Sequence, residues 1–311
     1  MAPIIQPIID TYEALNNWPP PPGGRLYHYT SMGAFHEIIT SGTLRATHRS
    51  YLNDRADLEY GLKACCRFLQ KWVEQHEGWQ KRLGEEVLRK IEAEINDAAK
   101  SPFSFAASFT ENGDGAAQWQ IYTPSGRGVA IAFDFVELRN SLQRAEFSRK
   151  SDGHIVAPHF VLSKIEYDKE IQEEQVVRLM ESASECWPAA EQFYKSYKCP
   201  EERIGYSLAH FLWQLATRTF KHGGHFFDQE WKATPHVAGD EFIKLHATRN
   251  AIRPYIEMRF DLSCIESVVV GSAVQQHFDD VRQTLKLLLA KHHLEEVEIQ
   301  KSEVLLAPPE E

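Results

Sequence analysis

The stretch Leu26-Tyr27-His28-Tyr29-Thr30 is the first part of the chain with a clear structural pattern. Aromatic and β-branched side chains dominate it, which predicts a β-strand. Ser31 follows as a helix N-cap, and apolar residues at 35, 38 and 39 then recur at the spacing of one helix face. Gly42 stands where a left-handed residue would end that helix. The stretch therefore predicts a strand followed directly by a helix.

The rest of the chain alternates between helical and strand patterns. Apolar residues at 129, 131, 133 and 135 alternate with small or polar ones, which predicts a strand. The end of the chain predicts a β-α-β unit, with strands 265–270 and 297–299 around a helix that ends near His293. Other predicted elements are helices over 57–100, with a break near Gly78, and over 204–215, and strands over 103–109, 161–167 and 256–262. This mixture predicts an α+β fold with a mixed, mainly antiparallel sheet.

Composition limits the classes of protein to consider. The chain has 311 residues and a formal net charge of −10, which disfavours tight nonspecific binding to phosphate backbones. Its five cysteines are an odd number without a C-x-x-C pair, as expected for reduced thiols in the cytoplasm. The first residues show no basic, apolar leader, and no apolar run has the length of a membrane span. We therefore expect a cytoplasmic protein without membrane contact.

One proline run suggests a boundary near the start of the chain. Pro19–Pro22 is followed by Gly23-Gly24, and four prolines stiffen the chain, so residues 1–24 are predicted to form an N-terminal arm and Pro-rich linker. No repeat or low-complexity linker follows, which predicts a single domain over 25–305. The Pro- and Glu-rich end, 306–311, is predicted to be a loose tail.

Several stretches, in their order and spacing, resemble a bacterial family, domain-of-unknown-function family 2971. They are Leu26–Thr30 with Ser41–Leu44; Tyr51–Asp54 with Glu59; Ser108–Thr110 with Gln118–Tyr122 and Gly128–Phe133; Phe220–His222 with Phe226–Lys232; and, at the end, Val268–Gly271 with Lys301-Ser302. The resemblance spans residues 25 to 302.

The opening motif of that family is similar to that of the ADP-ribosyltransferase-like superfamily. Members there carry a histidine on the first core strand, an aromatic residue downstream and a late glutamate, and the resemblance implies these roles for His28, Tyr51 and Glu230. It also implies a split β core with helical insertions, and NAD as a substrate whose nicotinamide–ribose bond is cleaved. The acceptor would be a protein, a nucleic acid or water.

The residue types suit this chemistry. A carboxylate stabilises the positive charge that develops on the ribosyl centre, an aromatic ring stacks on nicotinamide, and a histidine fixes a ribose hydroxyl. The same residues also suit structural roles, because His28 could be a core histidine and Glu230 a surface ion-pair partner of little energetic value. Asp228 and Glu257 are rival carboxylates, and Glu257 lies on a cleanly alternating strand.

Further side chains are predicted to contact the NAD or to shape its cleft: Tyr27, Thr30, Asn53, Asp54, Trp119 and Tyr122. Each has an alternative role. Asn53-Asp54 is also a turn or helix-start signal, and Trp119 and Tyr122 could be core aromatics on a short helix.

Two other kinds of site are disfavoured. His222 and His225 are separated by two glycines rather than by helical i, i+4 spacing, so no metal site is predicted. No Gly-x-Ser-x-Gly elbow occurs, and Cys65-Cys66 falls on a buried helix face. The alternative function is a non-catalytic binding or interaction module on the same scaffold, in a bacterial defence or toxin-related system.

Overall fold

The computed structural model describes residues 4–52, 57–97, 105–123, 126–143, 160–193, 200–235, 240–247 and 251–306. Its α-helices are α1 (Gln6–Asn16), α2 (Met32–Ser41), α3 (Asp57–Gln75), α4 (Gly78–Asp97), α5 (Ala116–Tyr122), α6 (Phe135–Gln143), α7 (Lys169–Phe193), α8 (Pro200–Thr219) and α9 (Phe278–Ala290). Its strands are β1 (Arg25–Ser31), β2 (Thr43–His48), β3 (Phe105–Thr110), β4 (Gly128–Asp134), β5 (Phe160–Lys164), β6 (Glu230–Pro235), β7 (Ile243–Ala247), β8 (Ile252–Arg259), β9 (Ile265–Val270) and β10 (Glu298–Lys301).

The chain divides into two compact units, each assembled from three segments. The helical unit comprises Met1–Trp18, Arg49–Ser104 and Ser163–Phe227, and the β unit comprises Pro19–His48, Phe105–Leu162 and Asp228–Glu311. The predicted Pro-rich linker lies where the chain first passes from the helical unit to the β unit. The later points at which the chain passes from one unit to the other show no comparable proline-rich composition. The single domain over 25–305 stays a prediction.

The helical unit buries a core between α1, α3, α4, α7 and α8. Gly61 sits where α3 meets α8, and a Cβ there would lie 2.1 Å from the Ala216 carbonyl oxygen, so only glycine permits this approach. Trp79 and Trp187 stack with ring centroids 4.2 Å apart. Ile8 of α1 is fully buried in this core, so the N-terminal segment is an integral helix of the unit.

The β unit contains a mixed, mainly antiparallel sheet, as predicted. Its strand order is β10-β9-β4-β1-β3-β2-β8-β7, and β6 pairs with β3 and β5. Strands β9 and β10 are parallel and are joined through α9, which confirms the C-terminal β-α-β unit. The α+β fold class is therefore confirmed.

The sheet is split beside β3. Strand β1 meets the end of β3, where Tyr27 lies opposite Thr110, and β2 meets its beginning, where Thr47 lies opposite Ala106. Helix α2 connects β1 to β2; the Ser31 hydroxyl accepts a hydrogen bond from the Ala34 amide at 3.2 Å, which caps the start of the helix. Gly42 ends it in the left-handed region with φ 63°. Both helix signals predicted from sequence are thus in place.

Some elements differ from the sequence prediction. Strand β8 begins at Ile252, four residues before the predicted start, and α7 was not predicted. Leu306, the first residue of the predicted loose tail, packs against the β unit and donates its amide hydrogen to the Ser272 hydroxyl at 3.3 Å. The other residues of that tail, 307–311, lie outside the described residues. Among the helices described, none is both long enough and apolar enough to cross a bilayer.

Candidate functional site

Ser108 on β3 contacts two of the residues predicted to be catalytic. Its carbonyl oxygen lies 2.9 Å from His28 Nδ1, and its hydroxyl donates to Glu230 Oε1 at 2.8 Å. Because β1 leaves β3 after Tyr27, the His28 ring takes the place of a backbone donor at the Ser108 carbonyl. One residue therefore positions both a histidine and a carboxylate.

The hydrogen bond to Ser108 fixes the chemical state of His28. A carbonyl can only accept, so Nδ1 carries the proton. Burial lowers the pKa of His28 below its ordinary value, which keeps the ring neutral at pH 7. Nε2 is then the acceptor nitrogen of the imidazole.

Glu230 begins β6 in a buried polar cluster. Its side chain is paired with Lys232, Nζ to Oε2, at 3.7 Å, and the two residues are only 5% and 4% exposed. The preceding residue, Gln229, has a left-handed φ of 44°, a conformation that a non-glycine side chain rarely adopts. Such strained backbone often occurs at functional sites.

The backbone around Glu230 is also tied to β3. The Thr110 hydroxyl donates to the Asp228 carbonyl at 2.8 Å, and the Glu111 amide donates to the Gln229 carbonyl at 3.1 Å. These bonds fix the entry into β6 on both sides of the strained residue. The position of the Glu230 carboxylate is therefore set by β3 rather than by a free loop.

The register places His28 and Glu230 on opposite faces of β3. The His28 ring packs against Phe109, with centroids 5.6 Å apart, whereas Glu230 bonds the hydroxyl of neighbouring Ser108. Successive side chains of a strand point to opposite faces. Tyr27 and Glu230 both lie opposite Thr110, so these two side chains share the other face. His28 and Glu230 consequently cannot flank one sugar from the same side of β3.

A cleft of about 380 Å3 opens on the His28 side of the β unit. Strands β1, β2 and β8 and helix α2 form its walls, and the lining residues central to its chemistry are His28, Thr30, Glu37, Arg45, Tyr255 and Glu257. Arg45 lies opposite Glu257 in the β2–β8 pair. The rival carboxylate Glu257 is therefore in an open cleft, whereas Glu230 is buried.

Charged groups in and beside the cleft are arranged in pairs. Arg45 Nη2 lies 2.5 Å from Glu37 Oε2, and its guanidinium lies 5.2 Å from the centre of the Tyr255 ring. Lys244 Nζ on β7 lies 2.7 Å from Glu257 Oε1. These pairs are partly exposed, so each contributes little to stability but orients its carboxylate.

The other predicted residues fall into different surroundings. Thr30 lines the cleft and is buried, and Tyr27 is half-buried on the Glu230 face. Trp119 is fully buried against Tyr29 and donates its indole N–H to Asp114 at 2.6 Å, which is the environment of a core aromatic. Tyr122 is 41% exposed at the end of α5.

Two predictions concern other parts of the chain. Tyr51 belongs to the helical unit and is 36% exposed, whereas the cleft residues belong to the β unit. Asn53 and Asp54 lie outside the described residues.

Among the residues that the structure describes, metal-ligating side chains and thiols add no further centre. No group of three or more metal-ligating side chains occurs in the described part of the chain. Burial raises the pKa of the Cys66 and Cys264 thiols to about 11, so both stay protonated at pH 7 and are poor nucleophiles.

Several residues of these sites could not be singled out from the sequence, among them Ser108 and Arg45. Ser108 lies within one of the stretches that resemble the family, and that resemblance implies no role for it, although alternation along β3 places its hydroxyl on the more polar face of the strand. Arg45 lies more than two hundred residues from its cross-strand neighbour Glu257, and no local pattern reveals such a pairing.

The comparisons with known proteins concern the central part of the chain, where Glu230 and Lys232 lie. The family model described as "Protein of unknown function (DUF2971)" matches residues 118–232. The chain is thus similar to DUF2971 over α5 to the start of β6, a range that includes four of the stretches named in the sequence analysis. His28 and Ser108 precede the part matched to DUF2971. The curated proteins and the solved structures gave no match.

Proposed function

We propose that the β unit binds NAD and cleaves its nicotinamide–ribose bond in the manner of an ADP-ribosyltransferase, with Glu230 as the catalytic carboxylate. The observation that carries the proposal is the double contact of Ser108, which holds His28 through its carbonyl and Glu230 through its hydroxyl. It ties together the histidine and the glutamate that the superfamily resemblance implies.

Glu230 suits the electrostatic part of this reaction. As the bond to nicotinamide breaks, nicotinamide leaves with the electron pair and positive charge develops on the ribose, and a carboxylate already oriented beside it stabilises that charge without reorganisation. The ribosyl carbon then forms its new bond to the acceptor, a protein, a nucleic acid or water. The Ser108 hydroxyl provides the orientation. Burial makes the carboxylate more effective, because charges interact more strongly at low dielectric than in water.

Tyr27, on β1, is an aromatic residue on the same face of the sheet as Glu230. Neighbouring strands are spaced by about 4.8 Å, so residues on the two strands flanking β3 lie about 10 Å apart. A nicotinamide stacked on Tyr27 would place its ribose towards Glu230. In this arrangement His28 is a positioning residue that acts through Ser108, and Tyr51 as the stacking ring stays a prediction.

The test is calorimetric titration with NAD followed by an assay of released nicotinamide. Glu230→Gln keeps the size of the side chain and removes its charge, and we expect it to lower the rate by at least about a hundredfold. Tyr27→Leu should raise KM, because it removes only the stacking surface.

Glu257→Gln is the matched control, because it neutralises the rival carboxylate in the open cleft. Full activity in Glu257→Gln beside inactive Glu230→Gln supports the proposal, and the reverse pattern transfers the catalytic role to Glu257. Absence of NAD binding at millimolar concentration rejects the enzyme and favours the non-catalytic module.

A further inference from the structure

The cleft between β1, α2, β2 and β8 contains more polar chemistry than the proposed reaction uses. His28 and Thr30 contribute its β1 side, and α2, β2 and β8 add three charged residues and an aromatic ring: Glu37, Arg45, Glu257 and Tyr255. Hydroxyl groups of Thr40, Ser41 and Thr43 line it as well.

The charge of the lining disfavours an anionic ligand. Glu37 is paired with Arg45 and Glu257 with Lys244, so neither pair leaves a cation uncompensated for an anionic ligand, and burial, which lowers the pKa of His28, keeps that ring neutral at pH 7. A phosphate or carboxylate entering here would approach two carboxylates, and like charges at short range repel. An uncharged ligand avoids that repulsion.

The hydrogen-bonding groups of the lining favour a ligand whose groups both donate and accept hydrogen bonds. Each ion pair uses one carboxylate oxygen, Oε2 of Glu37 and Oε1 of Glu257, so the second oxygen of each carboxylate remains an acceptor for a ligand. His28 contributes Nε2 as an acceptor. The Thr40 hydroxyl already donates to the His36 carbonyl at 2.7 Å, and Ser41 and Thr43 share one hydrogen bond of 2.7 Å. Arg45 has further N–H groups and the cleft is also lined by the hydroxyls of Thr30 and Tyr255, so the lining offers donors as well as acceptors.

We propose that this cleft binds an uncharged, hydroxyl-rich ligand of the size of a monosaccharide. Every sugar hydroxyl is a donor as well as an acceptor, which matches a lining that offers both. The two carboxylates and Arg45 can each bind neighbouring hydroxyls, and the half-buried Tyr255 ring offers an apolar surface for the C–H face of a sugar. The volume, about 380 Å3, is near the lower end for small-molecule sites.

The site is tested by titrating the full chain, without NAD, with D-glucose and D-ribose and with their 6- and 5-phosphates. Ligand-observed NMR detects weak binding, and we expect millimolar affinity for the neutral sugars and weaker binding of the phosphates. Glu257→Gln should weaken sugar binding about tenfold, because it exchanges a charged acceptor for a neutral one. Thr43→Val, which keeps the shape of the side chain, should also weaken it.

Glu266→Gln is the matched control, because Glu266 is also a half-exposed strand carboxylate in an ion pair, with Arg25, but it does not line the cleft. Its sugar affinity should equal that of the unmodified protein. Tighter binding of the phosphates, binding that survives both Glu257→Gln and Thr43→Val, or no binding of either sugar up to about 50 mM would each overturn the proposal. None of these results depends on whether NAD is cleaved.

Discussion

The buried pair between Glu230 and Lys232 permits a quantitative test of the electrostatics at the candidate centre. Nζ and Oε2 are 3.7 Å apart in surroundings that leave both side chains nearly inaccessible to water. The perturbation is a double-mutant cycle with Glu230→Gln, Lys232→Met and the combined variant. Such a cycle isolates the interaction energy between two side chains from their other contacts.

The distance sets the expected size of that interaction. Coulomb's law at 3.7 Å gives about 4.5 kcal/mol at an effective dielectric constant of 20 and about 1.1 kcal/mol in bulk water. We expect a coupling energy between these two values. Lys232→Met alone should lower the free energy of unfolding by about 3–5 kcal/mol, because it removes a cation that lies beside a buried carboxylate.

Urea unfolding followed by circular dichroism measures these energies, and hydrogen exchange of the β6 amides reports the β unit separately. Glu59 and Lys63 provide the control cycle, because Oε1 and Nζ lie only 2.5 Å apart but both side chains are exposed on a helix. That pair should couple by about 0.3–0.5 kcal/mol despite the shorter distance. A Glu230–Lys232 coupling no larger than that of the control would refute the claim that burial strengthens the charge of Glu230.

Two further predictions concern packing and pH. Gly61→Ala should destabilise the helical unit by about 3 kcal/mol, measured as a loss of free energy of unfolding, because the new Cβ would overlap the Ala216 carbonyl; Gly33→Ala, with open space around its Cβ, is the control and should cost nothing, so equal effects contradict the packing argument. Burial lowers the pKa of His28, so the unfolded chain takes up a proton that the folded one does not, and stability should fall as pH drops below about 6.5. His28→Gln should reduce that fall, and an unchanged pH profile of unfolding would contradict it.

Local signals in the sequence were sufficient to predict helices with clear capping residues and strands in which apolar residues alternate with small or polar ones. Ser31 and Gly42 specify the two ends of α2 by their own side-chain and backbone chemistry, so the prediction there was accurate. Helix α7 was not predicted because polar residues interrupt its apolar face and because Pro188 lies inside it. Strand β7 was not predicted because it is short and largely exposed, and it is held in the sheet by its pairing with β8.

The candidate site was only partly accessible from sequence. His28 and Glu230 were identified through the resemblance, but their opposite positions across β3 depend on strand register, which links residues about 80 to 200 positions apart. The burial of Glu230 rules out its alternative role as a surface ion-pair partner, and the sequence could not show this because only tertiary packing determines how much water reaches a side chain.

The interleaved segments have a consequence for engineering the chain. Strands β2 and β3 are antiparallel neighbours, and His48 at the end of β2 is paired with Phe105 at the start of β3. The inserted segment 49–104, which belongs to the helical unit, therefore begins and ends at neighbouring positions of the sheet. A two-residue Asn-Gly turn is the standard closure for two such strand ends. Segment 49–104 can thus be removed without changing the order or direction of the strands in the sheet. A shortened protein in which a turn joins His48 directly to Phe105 would show whether the sheet folds without segment 49–104.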